Sequence, residues 1–152
     1  YGITDSKHIG FIYTGYLIGA IVSSGTPWLN KRFKNTWWLL SMVFMLYCLS
    51  HFMLASSSLS LFILSFTLFC ACMFVIHATA VPLANKISTA PASVTNGAYV
   101  SFYYSGGAMG SFLPGFIFEK YGYNAFLVCL LICCLCGLAA CLLNYKQGTS
   151  IT

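Results

Sequence analysis

The residues of this sequence that could carry chemistry are thiols, imidazoles and phenols set in long apolar stretches. Cys133 and Cys136 have the Cys-x-x-Cys spacing of metal and redox sites. No partner set of Cys and His and no supporting polar groups accompany them, so we interpret these thiols as small hydrophobic side chains. We therefore expect these thiols to form no metal site and no disulfide framework.

His77 is the ionisable side chain of greatest interest, because it lies inside a stretch long enough to cross a membrane. Imidazole exchanges protons near neutral pH, so His77 is a candidate proton relay or a candidate hydrogen-bonding group for a substrate. The alternative is a neutral histidine bonded to a neighbouring helix or lying near the membrane surface. His51 lies nearer the end of its own apolar stretch, and we expect it to be an interfacial residue.

Tyrosines supply the second group of candidates for a substrate cavity. Tyr103 and Tyr104 follow Phe102, and together they form an aromatic segment that could hold an apolar or aromatic solute. Tyr13 and Tyr16 lie three residues apart, which places them on one face of a helix. Each of these four hydroxyls could instead be tied to a neighbouring helix, and both interpretations stay open.

The composition places these residues in a membrane. The chain has 152 residues, of which seven are Lys or Arg and two are Asp or Glu, so 6% are charged. About 25% is usual in a soluble domain. Hydrophobic residues make up 59% of the chain and the mean hydropathy is +0.84. Too little polar material remains to cover a soluble fold, which excludes a cytosolic enzyme, a disordered tail and a nucleic-acid-binding domain. The composition indicates an integral membrane protein.

Five apolar runs of about 20 residues predict transmembrane helices. They cover approximately residues 9–29, 36–55, 59–81, 97–118 and 125–143, and none contains a charged residue. In hydrocarbon the backbone must satisfy its own hydrogen bonds, so we predict an all-α integral membrane fold. The whole chain, residues 1–152, is then one partial transmembrane domain. Spans one, three and four carry most of the polar side chains and are expected inside the bundle, with spans two and five facing lipid.

Positive charge predicts the orientation of these spans. One side collects the basic loop Lys31, Arg32 and Lys34, followed by Lys86 and Lys146. The other side has Lys7 and Lys120 alone. The first side is therefore predicted to be cytoplasmic, with the N-terminus of the segment outside the cell membrane and its C-terminus inside. The chain starts with Tyr and lacks a cleavable leader, so we expect a further segment before it.

Small residues at four-residue spacing predict close helix packing. Such spacing lets two helix backbones approach each other, although direct contact with a substrate is the alternative. A proline within such a helix could also kink it and take part in gating. The packing and gating candidates are Gly15, Gly19, Gly106, Gly107, Gly110 and Pro114.

Three stretches resemble the C-terminal half of a major facilitator superfamily transporter, of its drug-efflux-like branch. Residues 15–34, with Gly15 and Gly19 followed by the basic loop, are similar to the helix eight to nine segment of that family. Residues 96–111 resemble helix eleven, and residues 114–124 resemble the turn that leads into helix twelve. On this resemblance the five spans correspond to helices eight to twelve.

The resemblance implies a function as well as a fold. It implies alternating access by two rocking halves, with proton-coupled efflux of a small organic solute and no cofactor. The partners would be membrane lipid, the solute, protons and the transporter half that is absent from this sequence. Helices eight, ten and eleven of the family face the cavity, which makes Tyr13, Tyr16, His77, Tyr103 and Tyr104 the cavity candidates.

Two other functions stay open at this point. The chain could be a membrane scaffold or assembly subunit that packs through its glycine faces and transports nothing. A membrane-embedded redox protein that uses the cysteines is the third hypothesis. Further spans encoded upstream of Tyr1 would favour the transporter over the scaffold, and bound metal or haem absorbance would favour the redox protein.

Overall fold

The structure is a computed structural model that describes residues 10–148. These residues form helices joined by short turns. A helical turn at 10–12 leads into the first helix, and the fourth helix is joined to the fifth by residues 88–91. The prediction of an all-helical fold is confirmed for this part of the chain. The helices are α1 (Thr14–Ser23), α2 (Thr26–Arg32), α3 (Thr36–Leu54), α4 (Leu59–Ile87) and α5 (Ala92–Gly148).

Three of these helices are long and apolar enough to cross a membrane. They are α3 with 19 residues, α4 with 29, and the part of α5 from Ala92 to Tyr145 with 54. The first predicted span is instead two short helices, because the chain turns at residues 24 and 25. The fourth and fifth predicted spans both lie within α5. The chain is therefore consistent with a membrane-embedded protein. Its helices do not correspond one to one with the five predicted spans.

Gly122 divides α5 into two limbs. Its backbone has φ 82° and ψ −177°, a conformation that is open almost exclusively to glycine. We call residues 92–121 the proximal limb and residues 123–148 the distal limb. On either side of the break, the rings of Phe118 and Phe126 meet edge to face with centroids 6.0 Å apart.

Contacts between helices fix the direction of each limb. The Tyr123 hydroxyl donates to the Leu54 carbonyl (2.9 Å) at the end of α3, and the tilted rings of Tyr145 and Trp38 have centroids 5.8 Å apart at its start. The distal limb therefore runs antiparallel to α3. The proximal limb runs antiparallel to α4, since Asn96 bonds Asn85 and the later Tyr99 bonds the earlier His77.

The sequence explains the start of α3, and α4 runs beyond its predicted span. Asn35 caps α3, because its side-chain oxygen accepts from the backbone N–H groups of Trp37 (2.9 Å) and Trp38 (3.3 Å). The third predicted span ends at residue 81, whereas the helix α4 continues through Pro82 to Ile87. Proline removes one backbone donor, and a long apolar helix tolerates that loss.

The core lies on both sides of α3, which is the most buried of the three long helices. On one side Leu39 and Val43 pack with Cys72 and Val75 of α4. On the other side Leu40 packs with Leu83 and with Cys141 of the distal limb. The expectation that span two is peripheral is therefore wrong within this chain. The polar content of a span does not predict how deeply it is buried in this bundle. Helix α3 is the most buried because α4 and the distal limb cover it from both directions.

His51 lies inside the bundle, where it is 3% exposed. Its expected place near the membrane surface stays a prediction. The carbonyl of Tyr47 lies 2.8 Å from Nδ1 and can only accept, so Nδ1 carries the proton and donates. The Cys134 thiol of the distal limb lies 3.9 Å from Nε2, and the ring of Phe69 packs edge to face at 5.3 Å. The distal limb buries this ring, although it is distant from His51 in the sequence.

Candidate functional site

The candidate site begins with a hydrogen bond between two helices. The Tyr99 hydroxyl of the proximal limb lies 2.9 Å from Nδ1 of His77 on α4. Both side chains are half-buried, and their ring centroids lie 5.5 Å apart. This bond joins α4 to the proximal limb inside otherwise apolar surroundings, where a polar contact of this kind is a functional indicator.

An aromatic cleft of about 240 Å³ surrounds this pair. Tyr103 forms one wall, with its ring centroid 4.6 Å from that of His77 at an interplanar angle of 43°. The lining residues carry no formal charge, except that His77 becomes positively charged when it takes up a proton. The cleft is lined by Phe44, Tyr47, Met73, Phe74, Ile76, His77, Tyr99 and Tyr103.

Helix α3 supplies the wall opposite the proximal limb. Phe44 and Tyr47 lie three residues apart on one face of α3, with ring centroids 6.4 Å apart. Phe44 also lies directly over Gly137 of the distal limb, where an added Cβ would collide with the phenyl ring. Tyr47 is held on its other side by Phe69 of α4, whose ring centroid lies 4.7 Å away. The wall is thus positioned by packing from both neighbouring helices.

The structure separates the five predicted cavity residues. His77 and Tyr103 line the cleft. Tyr104 is 70% exposed and meets Tyr103 edge to face outside the lining (5.5 Å). Tyr16 packs edge to face at 4.7 Å on Phe74, which is itself a lining residue, and so supports the cleft from behind. Tyr13 lies further away, on a different phenylalanine of α4.

Sequence reasoning missed Tyr99 and Tyr47. Tyr99 precedes Tyr103 by four residues, so the two phenols share a helix face, and this spacing could have identified Tyr99. Tyr47 lies on the span that was expected to face lipid. Its role depends on α3 lying next to α4, which no local pattern shows.

The glycines fall into two sets. At Gly15 an added Cβ would lie 2.8 Å from the Thr67 hydroxyl, and at Gly19 it would lie 2.8 Å from the backbone carbon of Cys70, so α1 packs closely against α4. At the other three predicted positions an added Cβ would meet no atom within 4 Å among the described residues; these are Gly106, Gly107 and Gly110. Pro114 lies on the same limb and is buried, and the helix continues through it.

The residues of the basic loop lie outside the cleft lining. Lys31 and Arg32 occupy the last turn of α2, where positive charge is favourable next to the helix carbonyls. Lys34 follows in the connection to α3, and all three side chains are exposed. Lys7, which entered the orientation prediction, lies outside the described residues.

The cysteines are free thiols within the bundle. Cys133 and Cys136 are exposed on the distal limb, whereas Cys134 between them is buried against His51. Among residues 10–148, no group of three or more His, Cys, Asp or Glu side chains is arranged to hold a metal ion.

Comparison of the chain with protein-family models, with curated proteins and with solved structures finds no match. The function is therefore inferred from the residues of the cleft and from the helix faces that surround it.

Proposed function

We propose that this chain is the C-terminal part of a secondary active transporter of the major facilitator type, which exports a small organic solute in exchange for protons. The observation that carries the proposal is the cleft containing the His77–Tyr99 bond and the Tyr103 ring. An ionisable side chain within apolar helices that faces a cavity marks a path for a solute or a proton.

The proposal includes five membrane crossings. They are α1 with α2, then α3, α4, the proximal limb and the distal limb. Helix directions support this count. Gly15 meets Thr67 and Gly19 meets Cys70, so α1 runs parallel to α4. Helix α3 runs antiparallel to α4, because Ser50 near the end of α3 accepts from Ser65, and Leu39 near its start packs with the later Val75. Each successive crossing thus reverses, as a chain that threads a bilayer must. The basic end of α2 would lie in the cytoplasm and the N-terminus of the segment outside the cell membrane.

The open face of the proximal limb supports a larger bundle. Gly106, Gly107 and Gly110 offer a smooth helix surface with no neighbour within 4 Å among the described residues, and Phe102 and Phe112 on the same limb are more than 70% exposed. We propose that helices one to seven of the transporter pack here and complete the cavity. The two halves would then rock about the cleft in alternating access.

His77 provides a route for proton coupling. When its imidazole is neutral, Nδ1 can accept a hydrogen bond from the Tyr99 hydroxyl. When the imidazole takes up a proton, Nδ1 becomes a donor, so the bond to the Tyr99 oxygen must reverse and the phenolic proton turns elsewhere. The other titratable groups that line the cleft are the phenols of Tyr47, Tyr99 and Tyr103. Proton uptake would therefore change which hydrogen bonds the cleft offers to a solute.

The test is solute–proton exchange by the complete product of the gene in proteoliposomes with an imposed pH gradient. A panel of organic solutes is screened for dissipation of the gradient. We expect His77→Gln, which keeps hydrogen-bonding groups and cannot titrate, to lose proton coupling while solute counterflow persists. Tyr121→Phe, on the exposed end of the proximal limb, is the matched control and should behave as the wild type. Full coupling in His77→Gln would contradict the proton route.

A scaffold function is the second candidate, and the open glycine face favours it. A scaffold would bind other membrane helices through Gly106 and Gly110 without moving a solute. The same proteoliposomes decide between the two, because a scaffold shows no solute-dependent proton flux and no counterflow with any member of the panel.

A further inference from the structure

The lining of the cleft defines a chemical class of solute. We propose, on the basis of the transport function above, that the cleft binds a small, uncharged aromatic solute that bears one hydroxyl or N–H group. The rings hold the flat part of the solute, and the His77–Tyr99 pair recognises its polar group.

The charge on the side of the cavity that this chain supplies disfavours ionic solutes. Among residues 10–148, no Lys, Arg, Asp or Glu lines the cleft. A carboxylate or an ammonium that entered it would lose its hydration without meeting an opposite charge, which costs several kcal/mol. Aromatic rings can attract an organic cation, but that attraction is about 0.5–2 kcal/mol. A protonated His77 would also repel a cation. An uncharged solute therefore has the advantage.

The ring content of the cleft favours one aromatic ring or two fused rings. The part of the cavity that this chain lines has a volume of about 240 Å³, which accommodates a group of that size. Phe44 and Tyr47 face it from α3, Phe74 from α4 and Tyr103 from the proximal limb. A flat ring among these side chains can make the edge-to-face and offset contacts that aromatic pairs prefer.

The polar group of the solute meets hydrogen-bonding capacity that residues 10–148 leave unused. The bond to Tyr99 occupies Nδ1 of His77, and Nε2 has no hydrogen-bond partner within residues 10–148. When Tyr99 donates to Nδ1, the neutral ring carries its proton on Nε2 and can donate to a solute oxygen. A site that offers a hydrogen-bonding side chain discriminates against a solute that lacks a polar group, because the side chain is then left unpaired.

Photolabelling of the full chain in nanodiscs tests this class. Four probes share an aryl trifluoromethyl-diazirine and differ at the para position: hydroxymethyl, methyl, carboxylate and trimethylammoniomethyl. Mass spectrometry then locates the labelled residues. We expect the hydroxymethyl probe to label cleft residues of α3, α4 and the proximal limb at least fivefold more than either charged probe. It should exceed the methyl probe by about 2- to 12-fold, as expected for one hydrogen bond.

Two conservative variants examine the polar recognition. Tyr99→Phe should remove the preference for hydroxymethyl over methyl, while labelling by the methyl probe persists and shows that the cleft is still formed. Tyr121→Phe should keep the full preference. An unchanged preference in Tyr99→Phe would overturn the role of the His77–Tyr99 pair.

The outcomes also separate this inference from the transport function. Stronger labelling of the cleft by the cationic or the anionic probe overturns the solute class and leaves a solute site in place. Labelling confined to exposed positions outside the cleft, such as Leu143 of the distal limb, overturns the solute class and the cleft site together. The predicted labelling without any proton-coupled flux in proteoliposomes supports the binding preference and contradicts the transport function.

Discussion

Replacement of Gly19 by alanine tests how the first helix packs. The backbone of α4 lies so close to Gly19 that an added Cβ would be 2.8 Å from the carbon and 2.9 Å from the oxygen of Cys70, and 2.9 Å from the nitrogen of Ala71. Cβ atoms are essentially never found so close to such atoms. These are backbone atoms inside a helix, so they cannot rotate away as a side chain would. Gly19→Ala must therefore push α1 away from α4.

The magnitude follows from two opposing effects. Overpacking by one methyl group costs about 1–3 kcal/mol. Alanine in place of glycine favours a helix by about 1 kcal/mol, which partly offsets that cost. Gly106→Ala is the matched control, because it has the same gain in helix propensity and its added Cβ meets no atom within 4 Å in the described part of the chain. The difference between the two variants therefore isolates the steric cost, about 1–3 kcal/mol.

Thermal unfolding in detergent measures this difference. A fluorophore that reacts with thiols reports the exposure of buried cysteines, and Cys70, which lies at the Gly19 contact, is 2% exposed. For a chain of this size 1 kcal/mol shifts Tm by about 2–4 °C. We expect Gly19→Ala to melt about 2–12 °C below Gly106→Ala.

Equal melting temperatures for the two variants would refute the close packing of α1 on α4. The same pair also bears on the proposed transporter. If further helices pack on the open face of the proximal limb, Gly106→Ala should be harmless in the 152-residue chain and destabilising in the complete gene product. A harmless Gly106→Ala in both would argue against that packing.

Three further predictions concern the bundle. Gly122→Ala should destabilise the chain by about 1–3 kcal/mol in the melting assay, because alanine is strained at φ 82°; an unchanged Tm would mean that the break does not need glycine. Ser65→Ala should cost about 0.5–1.5 kcal/mol by removing the buried bond to the Ser50 carbonyl, and a neutral effect would contradict that contact. Cys136 is exposed and Cys70 is buried, so a lipid-soluble reagent that generates a carbene should label Cys136 at least tenfold more than Cys70, as located by mass spectrometry; similar labelling would contradict the packing of α4.

Sequence alone was sufficient for the class of fold. Long runs without charge must satisfy their backbone hydrogen bonds internally, and helices do so within a single run, so the all-helical fold was predicted without knowledge of any contact. The same pattern could not place the ends of α4, because Pro82 usually interrupts a helix but is tolerated in this one. It also could not show that the first span is broken at residues 24 and 25.

The candidate site was predicted in part. His77 and Tyr103 were identified from residue type alone, since a histidine and a tyrosine within apolar runs are costly unless they are used or paired. Tyr99 could have been predicted from its spacing, because it lies one helical turn before Tyr103. Tyr16 and Tyr104 were named with equal reason, yet one lies behind the cleft and the other outside it.

Tertiary packing decided which polar groups meet. Tyr99 and His77 are 22 residues apart and His51 and Cys134 are 83 apart, and each pair is brought together by helices that cross. The distal limb buries His51 because the chain turns at Gly122 and returns along α3. Apolar length and helix propensity are local properties that a sequence displays directly. The partner of a given helix face depends on the direction in which the chain leaves each turn, and that direction exists only in three dimensions.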